Sequence, residues 1–147
     1  MEGNMNNKSF KVPNHLFFEI IEEELKAGKS VKFNVAGNSM IPFLKNADQV
    51  IIKQPIDLNV KIGDILLVKY REKVILHRLV KIEAGEYYLA GDGNLDQIEV
   101  VNKEDLLAVV LKGFRGEREL RVNSSFNKKM GLIWYYIRPL RFIFSKF

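Results

Sequence analysis

The stretch that decides the fold is a strand that runs into a turn: residues 31–42 have the sequence VKFNVAGNSMIP. Val31, Phe33 and Val35 alternate with Lys32, Asn34 and Ala36, a period of two that is typical of a β-strand with one buried face. After this alternation come Gly, Asn, Ser and Pro, which are turn-forming residues. The segment therefore places a serine, Ser39, just beyond the end of a strand.

The rest of the chain is predicted to be mainly β. Breaks rich in Pro, Asp, Asn and Gly separate six further strand candidates, over residues 49–53, 64–70, 73–82, 86–90, 106–114 and 118–122. An amphipathic helix precedes the sheet, because apolar residues recur at helical spacing and Gly28 supplies a stop. These apolar residues are Leu16, Phe17, Ile20, Ile21 and Leu25.

Three regions are predicted along the 147 residues. Residues 1–12 are polar and Asn-rich and are expected to form a flexible arm. Residues 13–123 are expected to form one domain, and residues 124–147 a C-terminal tail with helical segments.

The composition excludes several kinds of chemistry. The chain has no cysteine, which removes disulfides, thiolate nucleophiles, and cysteine-ligated zinc or iron–sulfur centres. No cluster of candidate ligands suggests a metal or a nucleotide, so no cofactor is expected. Glu19 and the acidic run at 22–24 interrupt the apolar stretch near the N-terminus, and Arg138 ends the longest apolar run. We therefore expect a cytoplasmic chain without a signal sequence or a membrane-spanning helix.

The tail at residues 124–147 carries the whole net charge of +5, because it has five basic residues and no acidic one. It also holds Trp134 and seven of the sixteen aromatic residues. One interpretation is a terminal helix, broken at Pro139, that docks its aromatics on the sheet. Another is attachment to an anionic membrane surface, at the inner face of the membrane. Nucleic acid is not an expected partner, because no helix-turn-helix, zinc or RNA-recognition pattern accompanies the charge.

Three short segments carry residues suited to catalysis: 37–42 with Ser39, 76–78 with His77, and 91–94 with Asp92. A serine hydroxyl needs a base to become a nucleophile at neutral pH, and histidine suits that role. Each residue also has an ordinary structural explanation. Ser39 would form a turn, His77 would be a hydrogen-bonded strand residue, and Asp92 would sit in a hairpin turn.

Four segments resemble the signal peptidase and LexA-like serine peptidase superfamily. Residues 38–42 resemble its Ser-Met-x-Pro box, and residues 61–66 its Gly-Asp-[IV]-[VL] strand. Residues 74–80 are similar to its base-carrying strand, and residues 90–94 to its Gly-Asp-Asn-Asn loop. His77 stands where the bacterial enzymes carry lysine, so the sequence resembles the Ser-His branch found in the endoplasmic reticulum and in archaea.

The resemblance implies a role for each site residue. Ser39 would be the nucleophile, His77 the base, and Asp92 the acid that orients the imidazole. Asp96 is the alternative acid, since His-type relatives keep acidic residues downstream of the loop, where this chain has Asp96 and Glu99. The backbone N–H groups of Ser39 and Gly37 would form the oxyanion hole, with glycine where many bacterial relatives have a serine. The Ser39 hydroxyl and a His77 nitrogen are expected within about 3 Å, or somewhat farther apart in an empty site.

The implied activity is that of a small serine endopeptidase without a membrane anchor, acting on a peptide or precursor protein. With only 38 residues before Ser39, no separate DNA-binding domain is expected. The alternative is a catalytically inactive peptide-binding module with the same fold. Asp64 is expected to hold a turn or to pair with Arg78.

Overall fold

The computed structural model describes residues 14–55 and 59–146. The predicted arm at residues 1–12 lies outside these ranges. The elements described are helices α1 (Asn14–Lys26), α2 (Ser125–Tyr136) and α3 (Arg138–Phe144), a 3-10 turn (Lys103–Asp105) and eight strands. The strands are β1 (Val31–Asn34), β2 (Gln49–Lys53), β3 (Ile65–Tyr70), β4 (Lys73–Glu83), β5 (Glu86–Ala90), β6 (Glu99–Asn102), β7 (Leu106–Arg115) and β8 (Arg118–Glu119).

All strand pairs in the sheet are antiparallel, in the order β1-β2-β7-β3-β4-β5-β6, with β8 beside β7. The prediction of a mainly β fold with a helix before the sheet and helical segments after it is confirmed. None of the three described helices has the length and hydropathy that a bilayer span requires.

Helix α1 covers one face of the sheet. Its residues Ile21 and Leu25 are buried in a core cluster with strand residues such as Phe33. The helix ends where Gly28 adopts a φ of +81° and donates its N–H to the Leu25 carbonyl, a conformation that glycine reaches without a steric penalty. The aromatic ring of Phe17 packs edge-on against Phe33, so the helix also reaches the strand that leads to Ser39.

Strand β3 lies between the two core clusters. Ile65 and Leu67 belong to the cluster under α1, whereas Leu66 and Val68 belong to a second cluster with Leu89 of β5. Successive side chains of a strand point to opposite faces of the sheet. When both faces are covered, buried and exposed side chains no longer alternate along the strand. The central strands β3 and β4 are therefore held from both sides, and β4 carries His77.

The strand predictions need two corrections. Strand β6, at Glu99–Asn102, was not predicted, and it adds the edge next to β5. Strand β8 has only two residues instead of five, because Arg121 turns the chain with a φ of +52° shortly after the strand. Val122 is nevertheless buried, in the cluster under α1.

The tail forms two short helices that meet at Ile137. The Ser124 hydroxyl accepts the Asn127 N–H at 3.1 Å and so caps the start of α2. Pro139 lies in the first turn of α3, where its missing N–H has no helical partner to lose. The helix break therefore falls at Ile137 rather than at Pro139.

A buried carboxylate stabilises the chain just after the turn that carries Ser39. Asp48 accepts two hydrogen bonds from the Arg115 guanidinium, at 2.9 and 2.8 Å, and one from the Lys45 N–H at 2.8 Å. Its own carbonyl accepts the Val35 N–H at 2.7 Å. The hydrogen bonds from Arg115 hold the pKa of Asp48 below its ordinary value of 3.8.

We predict that Asp48→Asn lowers the free energy of unfolding near neutral pH by about 1–2 kcal/mol. Because the pKa of Asp48 is lowered in the folded state, its stabilisation is complete above the ordinary pKa and is lost as the pH falls through the folded pKa. Urea unfolding should show the largest difference from wild type near pH 7 and a difference that shrinks as the pH falls below the ordinary pKa of 3.8. The exposed Glu117→Gln serves as control, and a pH-independent difference for Asp48→Asn would contradict the prediction.

Candidate active site

Ser39 lies in a tight turn that follows β1. The Ile41 N–H donates to the Asn38 carbonyl at 3.3 Å, which closes the turn. Met40 points into the core, while Ser39 is exposed. The Gly93 N–H donates to the Ser39 carbonyl at 2.8 Å. The serine turn is therefore held against the loop that follows β5.

His77 lies on β4, opposite Leu66 of β3. Its Nδ1 is 2.7 Å from Oε1 of Glu99, which lies on β6, and both side chains are buried. A carboxylate accepts hydrogen bonds and cannot donate when it is ionised, so this contact places the imidazole proton on Nδ1. The lone pair of Nε2 then remains available to accept a proton.

Gly91 lets the histidine and the serine turn approach each other. A Cβ built on Gly91 would lie 2.7 Å from the Ser39 carbonyl oxygen and 2.9 Å from Nε2 of His77. Such distances are too short for a real Cβ, so this position needs glycine for close approach. Nε2 of His77 thus lies beside the chain that carries Ser39.

Ser39 and His77 line the same cavity, which has a volume of about 300 Å³. Most of the other residues that line it have apolar side chains, including Phe17, Phe33 and Leu76, and they come from α1, β1, the turn after β1, β3 and β4. Among the described residues, no hydrogen bond joins Ser39 to His77. The structure therefore brings the two residues to one cavity, with the hydroxyl not yet bonded to the base, as is common in empty sites.

The predicted acid, Asp92, is hydrogen-bonded to Arg78 instead of His77. Both carboxylate oxygens of Asp92 accept hydrogen bonds from Arg78, at 2.8 Å from Nε and 2.7 Å from Nη2. Burial raises the pKa of Asp92, and the Arg78 guanidinium opposes that shift. Asp96, the alternative, is exposed. The structure thus places Glu99 against His77 instead of Asp92 or Asp96, because the guanidinium fork already binds both oxygens of Asp92.

Arg78 contacts several segments of the chain next to the site. It donates to the Gly63 carbonyl at 2.8 Å as well as to Asp92, and its guanidinium lies 5.1 Å from the centre of the Phe43 ring. Asp64 holds its turn through the Lys61 N–H and pairs with Lys128 at 2.7 Å. Of the two expectations for Asp64, the turn is therefore the one observed.

One of the two predicted oxyanion donors is engaged elsewhere. The Gly37 N–H donates to the Asn46 side chain at 2.8 Å. The Ser39 N–H, in contrast, donates to no group within residues 14–55 and 59–146. Of the two predicted donors, the Ser39 N–H is therefore the one that remains available near the Ser39 hydroxyl.

The tail supplies contacts that sequence analysis did not assign to the site. Trp134 Nε1 and Arg141 Nη2 both donate to the Asp92 carbonyl, at 2.8 and 2.7 Å. Arg138 donates to the carbonyls of Leu95 and Gln97. The concentration of basic and aromatic residues in the tail was the available signal for these contacts. Their partners are backbone carbonyls, which a sequence pattern does not identify.

Comparison with protein families gives one match. A family model described as Peptidase S24-like matches residues 3–111, which include Ser39, His77 and Glu99. The chain belongs to the Peptidase S24-like family. This membership supports the resemblance to the LexA and signal peptidase-like superfamily. No curated protein matches the sequence significantly.

Within the described part of this S24-like chain, no group of three or more His, Asp or Glu side chains is arranged to hold a metal ion.

We predict that Asp92→Asn destabilises this S24-like protein by about 3–5 kcal/mol, because it leaves the buried Arg78 charge without its anion. Asp96→Asn, four residues along the same loop and exposed, should change stability by no more than about 0.5 kcal/mol. Chemical denaturation of the three proteins measures both values. Equal stability of Asp92→Asn and wild type would show that the ion pair does not support the fold.

We also predict that Gly131→Ala destabilises the protein by about 2 kcal/mol, although alanine favours helices. A Cβ at Gly131 of α2 would overlap the buried Arg78 guanidinium. The neighbouring exposed Lys129→Ala provides the control for helix propensity. Thermal unfolding compares the two variants, and a more stable Gly131→Ala would rule out the close packing of α2 on Arg78.

Proposed function

We propose that the protein is a serine endopeptidase of the signal peptidase-like type, which cleaves a peptide or precursor protein with Ser39, His77 and Glu99. Ser39 Oγ attacks the scissile carbonyl while His77 Nε2 accepts its proton and later delivers it to the leaving amine. The Ser39 N–H is the backbone donor nearest to the developing oxyanion.

The observation that carries the proposal is the orientation of the His77 ring. Its Nδ1 is fixed by the Glu99 carboxylate, and its Nε2 lies beside the Ser39 turn across Gly91. A histidine with only a packing role in the core would not need to keep Nε2 available beside an exposed serine. The ring is thus oriented as a general base requires.

Glu99 acts as the positioning residue in this mechanism. It keeps the proton on Nδ1 and stabilises the imidazolium that forms when Nε2 takes the serine proton. Because the carboxylate is buried, water screens this interaction only weakly. Asp92 does not take part in proton transfer and supports the loop through Arg78.

The cavity indicates which part of a substrate would bind next to the serine. Most residues that line it are apolar, which favours an uncharged side chain, and its volume of about 300 Å³ admits side chains of any size. The resemblance to signal peptidases implies small residues at the cleavage site, and these fit in the cavity. The presence of His77 instead of lysine supports placement in the Ser-His branch.

A peptide-binding module without catalytic activity is the second candidate. Two observations favour it: the Ser39 hydroxyl has no hydrogen bond to His77, and the Gly37 N–H is bonded to Asn46. Such a module would use the same cavity to hold an uncleaved peptide. The two candidates differ in whether Ser39 is activated.

We predict that a fluorophosphonate probe labels the wild-type protein at Ser39, because an activated hydroxyl reacts with this electrophile and an ordinary turn serine does not. Glu99→Gln should slow labelling on the order of a hundredfold or more, through loss of the correct histidine tautomer. Mass spectrometry of the labelled peptide identifies the residue and gives the rate.

The control is Ser125→Ala, which removes an exposed serine of α2 and should label like wild type. Ser39→Ala should not label, and His77→Ala should label as slowly as the chemical background. Wild-type protein that is folded by circular dichroism and still unlabelled would favour the binding module. An unchanged rate in Glu99→Gln would remove Glu99 from the mechanism.

A further inference from the structure

We propose that the exposed face of α2 and α3 binds the surface of an anionic lipid bilayer. This face carries apolar residues spaced by four, three, four, three and four positions, which we call the tail stripe: Phe126, Met130, Ile133, Ile137, Leu140 and Phe144. Within each helix such spacing places residues on one side. The two helices meet at Ile137, and every residue of the stripe is exposed.

The tail stripe is unusually exposed for its composition. Phe126 and Phe144 are each 69% exposed, and Leu140 and Ile133 are 54% and 52% exposed. Single exposed apolar residues are common on protein surfaces, but a contiguous row of them marks a surface that binds something. Tyr136 and Ile143 extend the row on its flanks, at 65% and 52%.

The opposite face of the same helices fixes this orientation. Gly131 packs on Arg78, Trp134 bonds to the Asp92 carbonyl, and Arg138 bonds to the loop at 95–97. These contacts are buried or half-buried, so the helices cannot rotate to hide the tail stripe without breaking them. The stripe therefore stays outward while the protein is folded.

Charge identifies the occupant. The region at residues 124–147 has five basic residues and no acidic one. Lys128 pairs with Asp64, and Arg138 and Arg141 bond to backbone carbonyls on the docked face, so the exposed cations of the tail are Lys129 and Lys146. A second copy of this face would bring like charges together. A bilayer with anionic headgroups compensates the charge and also accepts the aromatic and aliphatic side chains.

The test is sedimentation of the full-length protein with two kinds of vesicle: phosphatidylcholine alone, and equal parts of phosphatidylcholine and phosphatidylglycerol. The protein should bind the anionic vesicles, bind the neutral ones at least about tenfold more weakly, and lose affinity as salt rises. Negligible binding to both vesicles would overturn the proposal, as would equal binding to both.

Variants locate the surface. The double variant Ile133→Ser with Leu140→Ser should weaken binding to anionic vesicles at least tenfold, and Lys129→Glu with Lys146→Glu should do the same. The matched control is Ile62→Ser with Ile82→Ser, which removes apolar residues of similar exposure from other parts of the surface and should bind like wild type.

Two further measurements keep the result specific. Circular dichroism and probe labelling at Ser39 should be unchanged in the tail variants, so that a folding defect is not mistaken for lost binding. Labelling tests the proposed activity, whereas sedimentation does not depend on it. Self-association of the wild type that the Ile133→Ser and Leu140→Ser variant abolishes, without any vesicle binding, would assign the stripe to a second copy and overturn the proposal.

Discussion

The buried ion pair between Arg78 and Asp92 is the interaction on which the rest of the site depends. Removing two charges from water is costly, and the cost is offset only when every donor and acceptor has a partner. Here the guanidinium also bonds to the Gly63 carbonyl, and both oxygens of Asp92 are used. The pair thereby joins the turn before β3, the loop after β5 and strand β4 at one point.

This pair explains where the neighbouring residues lie. Arg78 follows His77 on β4, and adjacent residues of a strand point to opposite faces, so the guanidinium and the imidazole act on different sides of the sheet. Holding Asp92 fixes the loop at residues 91–94, and that loop meets both the histidine and the serine turn. The carboxylate that contacts His77 comes instead from Glu99 on β6.

Much of this was predictable from the sequence, and the exceptions have physical reasons. The period-two segments and the helix before them identified most of the sheet, and the motif residues Ser39 and His77 do meet at one cavity. Strand β6 was missed because its four residues follow an irregular loop and offer little periodicity. Glu99 and Val101 are the buried residues of this strand, and the acidic residues downstream of the loop were the signal available in the sequence for the acid. The motif predicts Asp92 as the acid. In the structure Asp92 binds Arg78, a pairing between side chains distant in the sequence.

The sequence of the tail permits several interpretations because it combines many aromatic residues with unopposed positive charge. Aromatic residues suggested docking on the domain, and unopposed charge suggested a surface role. The structure divides these between two faces, since Trp134 and Arg138 contact the loop near the site while Phe126 and Leu140 stay exposed. Helical geometry permits this division, but the sequence alone did not assign residues to faces.

The position of Trp134 gives the protein an internal optical reporter. It is the only tryptophan, its indole N–H bonds to the Asp92 carbonyl at 2.8 Å, and the Arg141 guanidinium lies 4.1 Å from its ring centre. Indole emission depends on hydrogen bonding and on nearby charge. Intrinsic fluorescence of the unlabelled protein would therefore follow the loop beside His77 specifically, without contributions from a second tryptophan elsewhere in the chain.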